Sequence, residues 1–233
     1  MVFKDCYPKN IGDNVKLEDM TWNEAVEKCR NKIILVPHGS TEEHGYHLPL
    51  KTDAFVAEKV CEIFYDSKDV VVAPVMRYTG LKLTKQMPGT VGPNAEEYEA
   101  WMKTIVSDFM KLKPKKVFFF LGHDGSTQRK ILDEMKKKYK VNYLGGSLLD
   151  DEACEKGITS STGHAGEGET SLMLYLDPKN VKMKDAVDEE WPENRYDVGI
   201  GKSGANGEPT KGTAEKGKKM LDFYRKKLTE AFK

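Results

Sequence analysis

Residues 32–53 read KIILVPHGSTEEHGYHLPLKTD, and this stretch joins an apolar run directly to a run of histidines and carboxylates. The apolar run from Lys32 to Val36 is short and β-branched, which predicts a buried strand. Three of the five histidines in the chain, His38, His44 and His47, follow it closely. Imidazole and carboxylate groups are ligands of zinc, manganese and iron(II), so the stretch favours a metallohydrolase.

Strand-like and helix-like stretches alternate along the rest of the chain. Strands separated by helical stretches are typical of βαβ units, so the pattern predicts an α/β fold with a mostly parallel sheet. The length of 233 residues fits a single domain, residues 1–233. The segment 184–209 is rich in glycine, asparagine and charge and is interpreted as an extended loop or flap. Further strands are expected at residues 70–75, 117–121 and 141–144, and helices near residues 54–65, 95–112, 126–139, 170–176 and 213–232.

The composition narrows the classes of function. Lysine plus arginine number 37 and aspartate plus glutamate also number 37, which argues against a general nucleic-acid or membrane-surface binder. The four cysteines are far apart and form no Cys-x-x-Cys pair, so a thiolate zinc site is not expected. The apolar runs are too short to span a membrane, and residues 1–10 contain no apolar signal core. The protein is therefore predicted to be cytoplasmic.

The other two histidines also lie near carboxylates. His123 precedes Asp124 just after the third predicted strand, and His164 lies shortly before Glu169. In parallel α/β sheets, ligands bind beyond the carboxyl ends of the strands. Because residues 42–53 follow the first strand and His123 follows the third, both segments are expected at the same edge of the sheet.

Four residues at this edge form the candidate metal site. Glu42 and His44 are two apart, on what is expected to be an extended loop. Side chains at that spacing cannot easily reach one ion, but they can reach two neighbouring ions. Asp53 would then bridge the ions, and His123 would complete one of them. Paired metals about 3.5–4 Å apart can polarise a carbonyl and acidify a bound water, which supplies a nucleophile without serine or cysteine.

Three neighbouring residues are interpreted mainly as structural residues and not as metal ligands. His38 directly follows the strand and is interpreted as structural. His47 is interpreted as a packed residue or a partner of the ligands, with direct ligation of a metal as the alternative. Glu43 is expected to be solvated or to act as a hydrogen-bond partner.

These motifs resemble those of the creatininase (creatinine amidohydrolase) family. Residues 37–53 match its segment Pro-x-Gly-Ser-x-Glu-x-His-Gly-x-His-Leu-Pro-x-x-Thr-Asp. Gly122 and His123 match its Gly-His segment, and residues 164–171 match its His-(Ala/Gly)-Gly-x-x-Glu-Thr-Ser segment. Matching positions run from about residue 33 to residue 217, so the resemblance spans nearly the whole chain.

The resemblance implies a three-layer α/β/α sandwich with a mostly parallel central sheet. It also implies a binuclear site for two divalent metal ions, zinc, manganese or iron. Carried over by position, Glu42, Asp53 and His123 hold one ion, and His44 with the bridging Asp53 holds the other. His164 matches the histidine that is thought to move protons to the leaving nitrogen. The family also implies a homo-oligomer, a hexamer by resemblance.

The chain departs from creatininase itself at two places. Creatininase has a glutamate ligand two residues after the histidine that matches His123, and here that residue is Gly125. Glu169 is the first candidate to complete the second ion and to act in catalysis, and Asp124 is the second candidate. Glu169 could instead hold another ligand in place. Creatininase also packs its flat substrate with tryptophans ahead of the general acid, where residues 159–162 are Thr-Ser-Ser-Thr, which disfavours creatinine.

The leading hypothesis is a metal-dependent amidohydrolase that cleaves a non-peptide C–N bond in a cyclic amide or a formamide. One alternative resembles the archaeal formamidopyrimidine-nucleotide deformylases of riboflavin and deazaflavin biosynthesis. The phosphate of such a substrate would need a cation, for example Lys82, Lys85, Arg77 or Lys202. A second alternative is a non-catalytic metal-binding relative, which the missing glutamate ligand favours. A Gly-x-Gly-x-x-Gly match at residues 199–204 indicates nucleotide binding only weakly, because no convincing strand precedes it.

Overall fold

The centre of the fold is a sheet of four parallel strands. A computed structural model describes residues 16–198 and 200–232. Its strands are β1 (Ile33–His38), β2 (Val70–Val72), β3 (Lys116–Leu121) and β4 (Val141–Gly145). They lie in the order β2-β1-β3-β4, and each neighbouring pair is parallel. The prediction of a mostly parallel α/β sheet is therefore confirmed, with β1 and β3 in the middle.

Helices connect and flank the strands. They are α1 (Trp22–Lys28), α2 (Thr52–Cys61), α3 (Ala95–Lys111), α4 (Ser126–Lys136), α5 (Gly146–Glu155), α6 (Glu167–Leu176), α7 (Arg195–Val198) and α8 (Ala214–Glu230). Short 3₁₀ turns occupy Leu17–Asp19, Glu62–Phe64, Thr84–Gln86, Pro178–Asn180, Met183–Asp185 and Pro209–Lys211. Throughout the two described ranges, no helix is both long enough and apolar enough to cross a membrane.

The helix boundaries differ from the sequence prediction in ways that matter for the site. Helix α2 begins at Thr52, two residues earlier than expected, so Asp53 lies in its first turn. Helix α6 begins at Glu167 and not at 170, so Glu169 also lies in a first turn. Helices α1, α5 and α7 were not predicted, and α7 lies within the 184–209 segment that was interpreted as a loop or flap. Both candidate carboxylates are therefore held by regular backbone and not by loops.

Helices cover the sheet on both faces, which gives the three-layer α/β/α sandwich. Side chains alternate along β1. Leu35 belongs to an apolar cluster with α2, α5, α6 and α8, and Ile34 belongs to a second cluster with α3 and α4. All six residues of β1 are buried. A strand that is buried on both faces needs an apolar side chain at nearly every position, which explains its continuous apolar run.

Two glycines bring the start of α2 against the ends of the central strands. A Cβ on Gly39, just after β1, would lie 2.2 Å from the Ala54 backbone nitrogen. A Cβ on Gly122, just after β3, would lie 2.1 Å from the Asp53 carbonyl oxygen. Only glycine allows so close an approach of backbones. The packing therefore fixes Asp53 beside the carboxyl ends of β1 and β3.

Candidate metal centre

The residues predicted as metal ligands converge at the carboxyl edge of the sheet. Glu42 and His44 come from the loop after β1, and Asp53 comes from the first turn of α2. His123 follows β3, and Glu169 lies in the first turn of α6. The side chains of Glu42, His44 and Asp53 are each at most 3% exposed. Five acidic and imidazole groups thus converge in one region, where His123 and Glu169 are partly exposed and the other three are buried.

A first cluster consists of Glu42, Asp53 and His123. Each offers one donor atom, and these atoms all lie within 4.8 Å of one another. His123 Nδ1 is 2.6 Å from Glu42 Oε2 and 3.2 Å from Asp53 Oδ2. Glu42 Oε2 is buried and accepts no hydrogen bond of good geometry from the residues that the structure describes. A buried carboxylate oxygen in this condition is suited to a cation.

A second cluster consists of His44, His164 and Glu169, whose donor atoms also lie within 4.8 Å of one another. His44 Nδ1 donates a hydrogen bond to the Glu42 carbonyl oxygen at 3.0 Å, so Nε2 of the neutral ring is free to bind an ion. That Nε2 lies 2.9 Å from Asp53 Oδ1 and 3.6 Å from Glu169 Oε2. The two oxygens of Asp53 thus face different clusters, as a bridging carboxylate requires.

Of the two residues predicted to replace the missing glutamate, Glu169 belongs to the second cluster and Asp124 belongs to neither. Asp124 Oδ2 accepts a hydrogen bond from Ser147 Oγ at 2.8 Å, and its Oδ1 lies 3.5 Å from Arg129 Nε. Asp124 therefore ties the end of β3 to helices α4 and α5 and belongs to neither cluster. Glu169 Oε2 accepts a hydrogen bond from the Ala165 backbone nitrogen at 2.6 Å and still faces His44.

Hydroxyl groups orient both carboxylates of the first cluster. Ser40 Oγ donates to Asp53 Oδ2 at 2.7 Å. Thr84 Oγ1 donates to Glu42 Oε1 at 2.5 Å. Partners of this kind hold metal ligands in place and tune their basicity. Ser40 lies inside the long motif, but Thr84 comes from a distant 3₁₀ turn, and sequence reasoning did not identify it.

The electrostatics of the site fit divalent cations. Burial alone would lower the pKa of His123, but the charge of Glu42 and a hydrogen bond with Asp53 raise it to about 10. Burial also opposes the charge of His44, yet the charges of Asp53 and Glu169 raise the pKa of His44 well above its usual value. The buried carboxylates thus recruit positive charge. Imidazole and carboxylate donors suit zinc, manganese and iron(II), and a bound cation would replace these protons.

Glu43 holds His164 beside the second cluster. His164 Nε2 donates to the Glu43 carbonyl oxygen at 2.9 Å and lies 3.1 Å from Glu43 Oε1. Burial and the charge of His44 oppose protonation, but the hydrogen bond with Glu43 and nearby carboxylates raise the pKa of His164. Glu43 is buried, so its interpretation as a solvated group is wrong and its role as a hydrogen-bond partner is correct. This arrangement suits a histidine that carries a proton.

The remaining two histidines lie outside both clusters. His38 stacks on Tyr98 with ring centroids 5.8 Å apart, and burial lowers its pKa to about 3. His47 Nε2 hydrogen bonds with Thr170 Oγ1 at 2.8 Å, and burial lowers its pKa to about 4. Thr170 is the neighbour of Glu169, so His47 acts as a packed partner of the ligand segment.

A cavity of about 400 Å³ opens onto both clusters. The residues that line it include Trp191, Tyr196 and Thr162. Trp191 lies 5.5 Å from the ring of His164, and its Nε1 donates to the Gly204 carbonyl oxygen at 3.0 Å. The segment 159–162 lacks tryptophan as the sequence indicated, but the 184–209 segment supplies one. The cavity therefore has an aromatic wall that sequence reasoning missed.

The glycine-rich match at residues 199–204 binds a side chain of the protein itself. The backbone nitrogens of Lys202 and Ser203 donate to the Glu189 carboxylate at 2.9 and 2.8 Å. Gly199, the first glycine of the match, lies outside the described residues. Because Glu189 occupies these backbone donors, the weak nucleotide-binding reading has no support from the geometry.

Comparisons with known proteins agree with the fold and the motifs. A sequence model of the Creatininase family, described as creatinine amidohydrolase, matches residues 18–232. A mycofactocin precursor peptide peptidase from Mycolicibacterium smegmatis is 27% identical over 204 residues, which cover 81% of this chain and 79% of the relative. A creatinine amidohydrolase from Pseudomonas putida is 23% identical over 203 residues, which cover 76% and 78%.

Solved structures of creatininase share the fold. A tryptophan-to-alanine mutant of creatininase superposes with a TM-score of 0.77 at 21% identity, covering 94% of this chain and 97% of that chain. A creatininase described as a manganese form superposes with a TM-score of 0.74 at 20% identity, with the same coverage of both chains. At these identities, the likeness establishes the architecture.

Proposed function

The chain belongs to the creatininase family of hydrolases, and on that premise we propose that it is a metal-dependent amidohydrolase with a paired metal site. The observation that carries the proposal is the placement of Asp53, whose Oδ1 faces His44 and whose Oδ2 faces His123. Glu42, Asp53 and His123 would hold one divalent ion. His44, Asp53 and Glu169 would hold the other.

Two bound ions would supply Lewis acidity toward a carbonyl oxygen and would lower the pKa of a water. The chain's own residues account for the other requirements of amide hydrolysis. Glu43 holds His164 next to the second cluster, where it can deliver a proton to the departing nitrogen. Trp191 covers one side of His164 and helps to shield it from bulk water. Glu169 acts as a metal ligand, and its negative charge also raises the pKa of His164.

The substrate that we propose is a small molecule with a non-peptide C–N amide bond, either a cyclic amide or a formamide. A cavity of about 400 Å³ is within the range that binds small ligands. The aromatic wall at Trp191 suits a flat ring. The similarity to a peptide peptidase makes a peptide amide the main competitor, so the test must include one.

A specific observation favours the formamidopyrimidine nucleotide as a second candidate substrate. Of the four cations considered for a phosphate, Lys82 is the one that lines the cavity. Ser126 and Thr127, at the start of α4, line it too, and the first turn of that helix carries no acidic residue. Free backbone N–H groups at a helix start favour an anion. In contrast, Arg77 pairs with Glu58.

The test is a turnover assay combined with metal counting. Purified protein is loaded with zinc, manganese or iron(II) and incubated with creatinine, a formamidopyrimidine nucleotide and a short peptide amide. We expect two ions per chain and release of product from a small-molecule amide, abolished by a chelator and restored by metal. Turnover of the peptide alone would contradict the proposed small-molecule substrate and identify a peptide amide in its place. Two bound ions without turnover of any amide would favour the non-catalytic relative.

We also propose that the chain forms a homo-oligomer, by analogy with the hexamer expected from the resemblance. Light scattering coupled to size-exclusion chromatography measures the mass of the assembly directly. A mass of six chains is the expected result. A monomeric mass over a wide concentration range would contradict the proposal.

A further inference from the structure

Gln128 is a buried glutamine in the first turn of α4, close behind His123. Its side chain is fully buried. Its Nε2 donates a hydrogen bond to Thr79 Oγ1 at 2.5 Å, which holds the amide in place. Its Oε1 is buried and accepts no hydrogen bond from the residues described in the structure. A buried acceptor without a donor is rare, so this oxygen calls for a partner.

The space beside Gly125 connects this oxygen to the metal site. A Cβ built on Gly125 would lie 2.7 Å from Gln128 Oε1 and 2.9 Å from His123 Nε2. The two atoms therefore border the same small space. Any larger residue at this position would displace either the glutamine or the imidazole ring. This crowding gives a physical reason for glycine at the position where creatininase has a glutamate.

The two nitrogens of the His123 ring face different groups: Nδ1 faces the carboxylates, and Nε2 lies beside Gly125. Nδ1 faces the carboxylates of Glu42 and Asp53, so Nδ1 is the nitrogen that an ion would take. Nε2 then carries the proton of the neutral ring. Histidines that bind metals almost always donate this second N–H to an acceptor, which fixes the tautomer and the ring orientation. Gln128 Oε1 is an acceptor that borders the same space beside Gly125.

We propose that Gln128 is a positioning residue for His123: once an ion takes Nδ1, the Nε2–H of the ring would donate to Gln128 Oε1 across the space beside Gly125. Thr79 holds the other end of the amide, so the oxygen stays on the side of His123. The inference rests on the proposed metal site and adds a residue that acts through a ligand. It also assigns a role to Thr79, which lies outside every motif.

The experiment compares zinc binding and the imidazole proton in two matched variants. Gln128→Met keeps the length of the side chain but removes the acceptor, whereas Gln128→Glu keeps an acceptor at the same place. Zinc affinity is measured by competition with a chelator, and the Nε2–H signal of His123 is followed by NMR of the zinc-loaded protein. We expect Gln128→Met to weaken the affinity for one ion by about 10- to 100-fold and to lose the slowly exchanging proton. We expect Gln128→Glu to keep the slowly exchanging proton and to bind zinc with an affinity within about threefold of the wild type.

A third variant helps to distinguish loss of the hydrogen bond from a folding defect. Gly125→Ala removes no polar group but fills the space between Gln128 and His123, and it should weaken zinc binding in the same way. Melting of the metal-free variants reports their folding. Wild-type zinc affinity and an intact proton signal in Gln128→Met and Gly125→Ala would overturn this inference alone. Failure of the wild type to bind zinc would overturn the proposed metal site and this inference together.

Discussion

Asp53 belongs to the first ligand cluster and also faces His44 of the second, but the two clusters are built from different parts of the fold. Glu42 and His123 follow the central strands β1 and β3, whose ends are locked against α2 by glycine contacts. His164 and Glu169 come from α6 and the loop before it, next to the 184–209 segment. The first cluster is therefore a rigid part of the sheet edge. The second contains His164, the proposed proton donor, and lies beside Trp191 of the aromatic wall, so we propose that substrate binding and catalysis meet there.

Asp53→Asn breaks both clusters at once and should have the largest effect. We expect both ions to be lost and kcat/KM to fall by about 10⁴-fold, because paired metals supply several kcal/mol of charge stabilisation. Metal content after dialysis and initial rates measure the change. Asp133→Asn, at a residue whose side chain is 56% exposed, is the matched control and should behave as wild type. Retention of two ions by Asp53→Asn would show that it does not bridge.

The sequence predicted the first cluster better than the second, for a physical reason. The apolar run of β1 places residues 42–53 at a strand end, and the carboxyl ends of parallel strands meet at one edge. The helical pattern predicted α6 only from residue 170, so it left out Glu169, which was located only through a motif. Glu43 was missed as a buried group because its partner, His164, is 121 residues away. Trp191 was missed because an irregular segment carries no periodicity.

Helices α1 and α5 were missed because their local sequence patterns are weak. Helix α1 has only seven residues, of which only Ala25 is buried, so its apolar periodicity is weak. A capping pattern could have revealed it, since the Thr21 backbone nitrogen donates to Glu24 Oε2 at 2.8 Å. Helix α5 begins at Gly146 and has no acidic residue in its first turn, so it lacks a start pattern. Its position depends on packing against α8, which local sequence does not encode.

Glu42→Gln and Glu169→Gln separate the two clusters. Each change should remove one ion and lower kcat/KM by about 10²- to 10³-fold, since each removes an anionic ligand of one site only. Counting ions per chain in each variant is the measurement. Asp124→Asn is the control, and it should keep both ions because Asp124 pairs with Ser147. An ion lost in Asp124→Asn but kept in Glu169→Gln would reverse the assignment.

His164→Asn tests whether the second cluster carries the proton donor. We expect kcat to fall by about 10²-fold while both ions remain bound, because general acid catalysis is lost without loss of the ligands. Rates over a range of pH and metal counts on the same sample distinguish the roles. A variant that loses an ion would identify His164 as a ligand instead. Glu43→Gln should give a smaller loss of kcat, since it only weakens the hold on the ring.

The smallest expected effect is a pH dependence that distinguishes the metal-free from the loaded protein. His123 has a pKa of about 10 in the fold, above its ordinary value of 6.5. A raised pKa stabilises the fold fully below about pH 6.5, and this contribution is lost as the pH rises toward 10. The melting temperature of the metal-free protein should therefore fall over that window. Zinc-loaded protein should lack this component, and so should metal-free His123→Asn; an identical slope in all three samples would contradict the account.

The most direct test of the paired site is anomalous diffraction from crystals of the zinc-loaded protein. The account predicts two zinc peaks per chain on either side of Asp53, one contacted by Glu42 and His123 and the other by His44 and Glu169. A single peak, or two peaks of which neither touches Asp53, would contradict it.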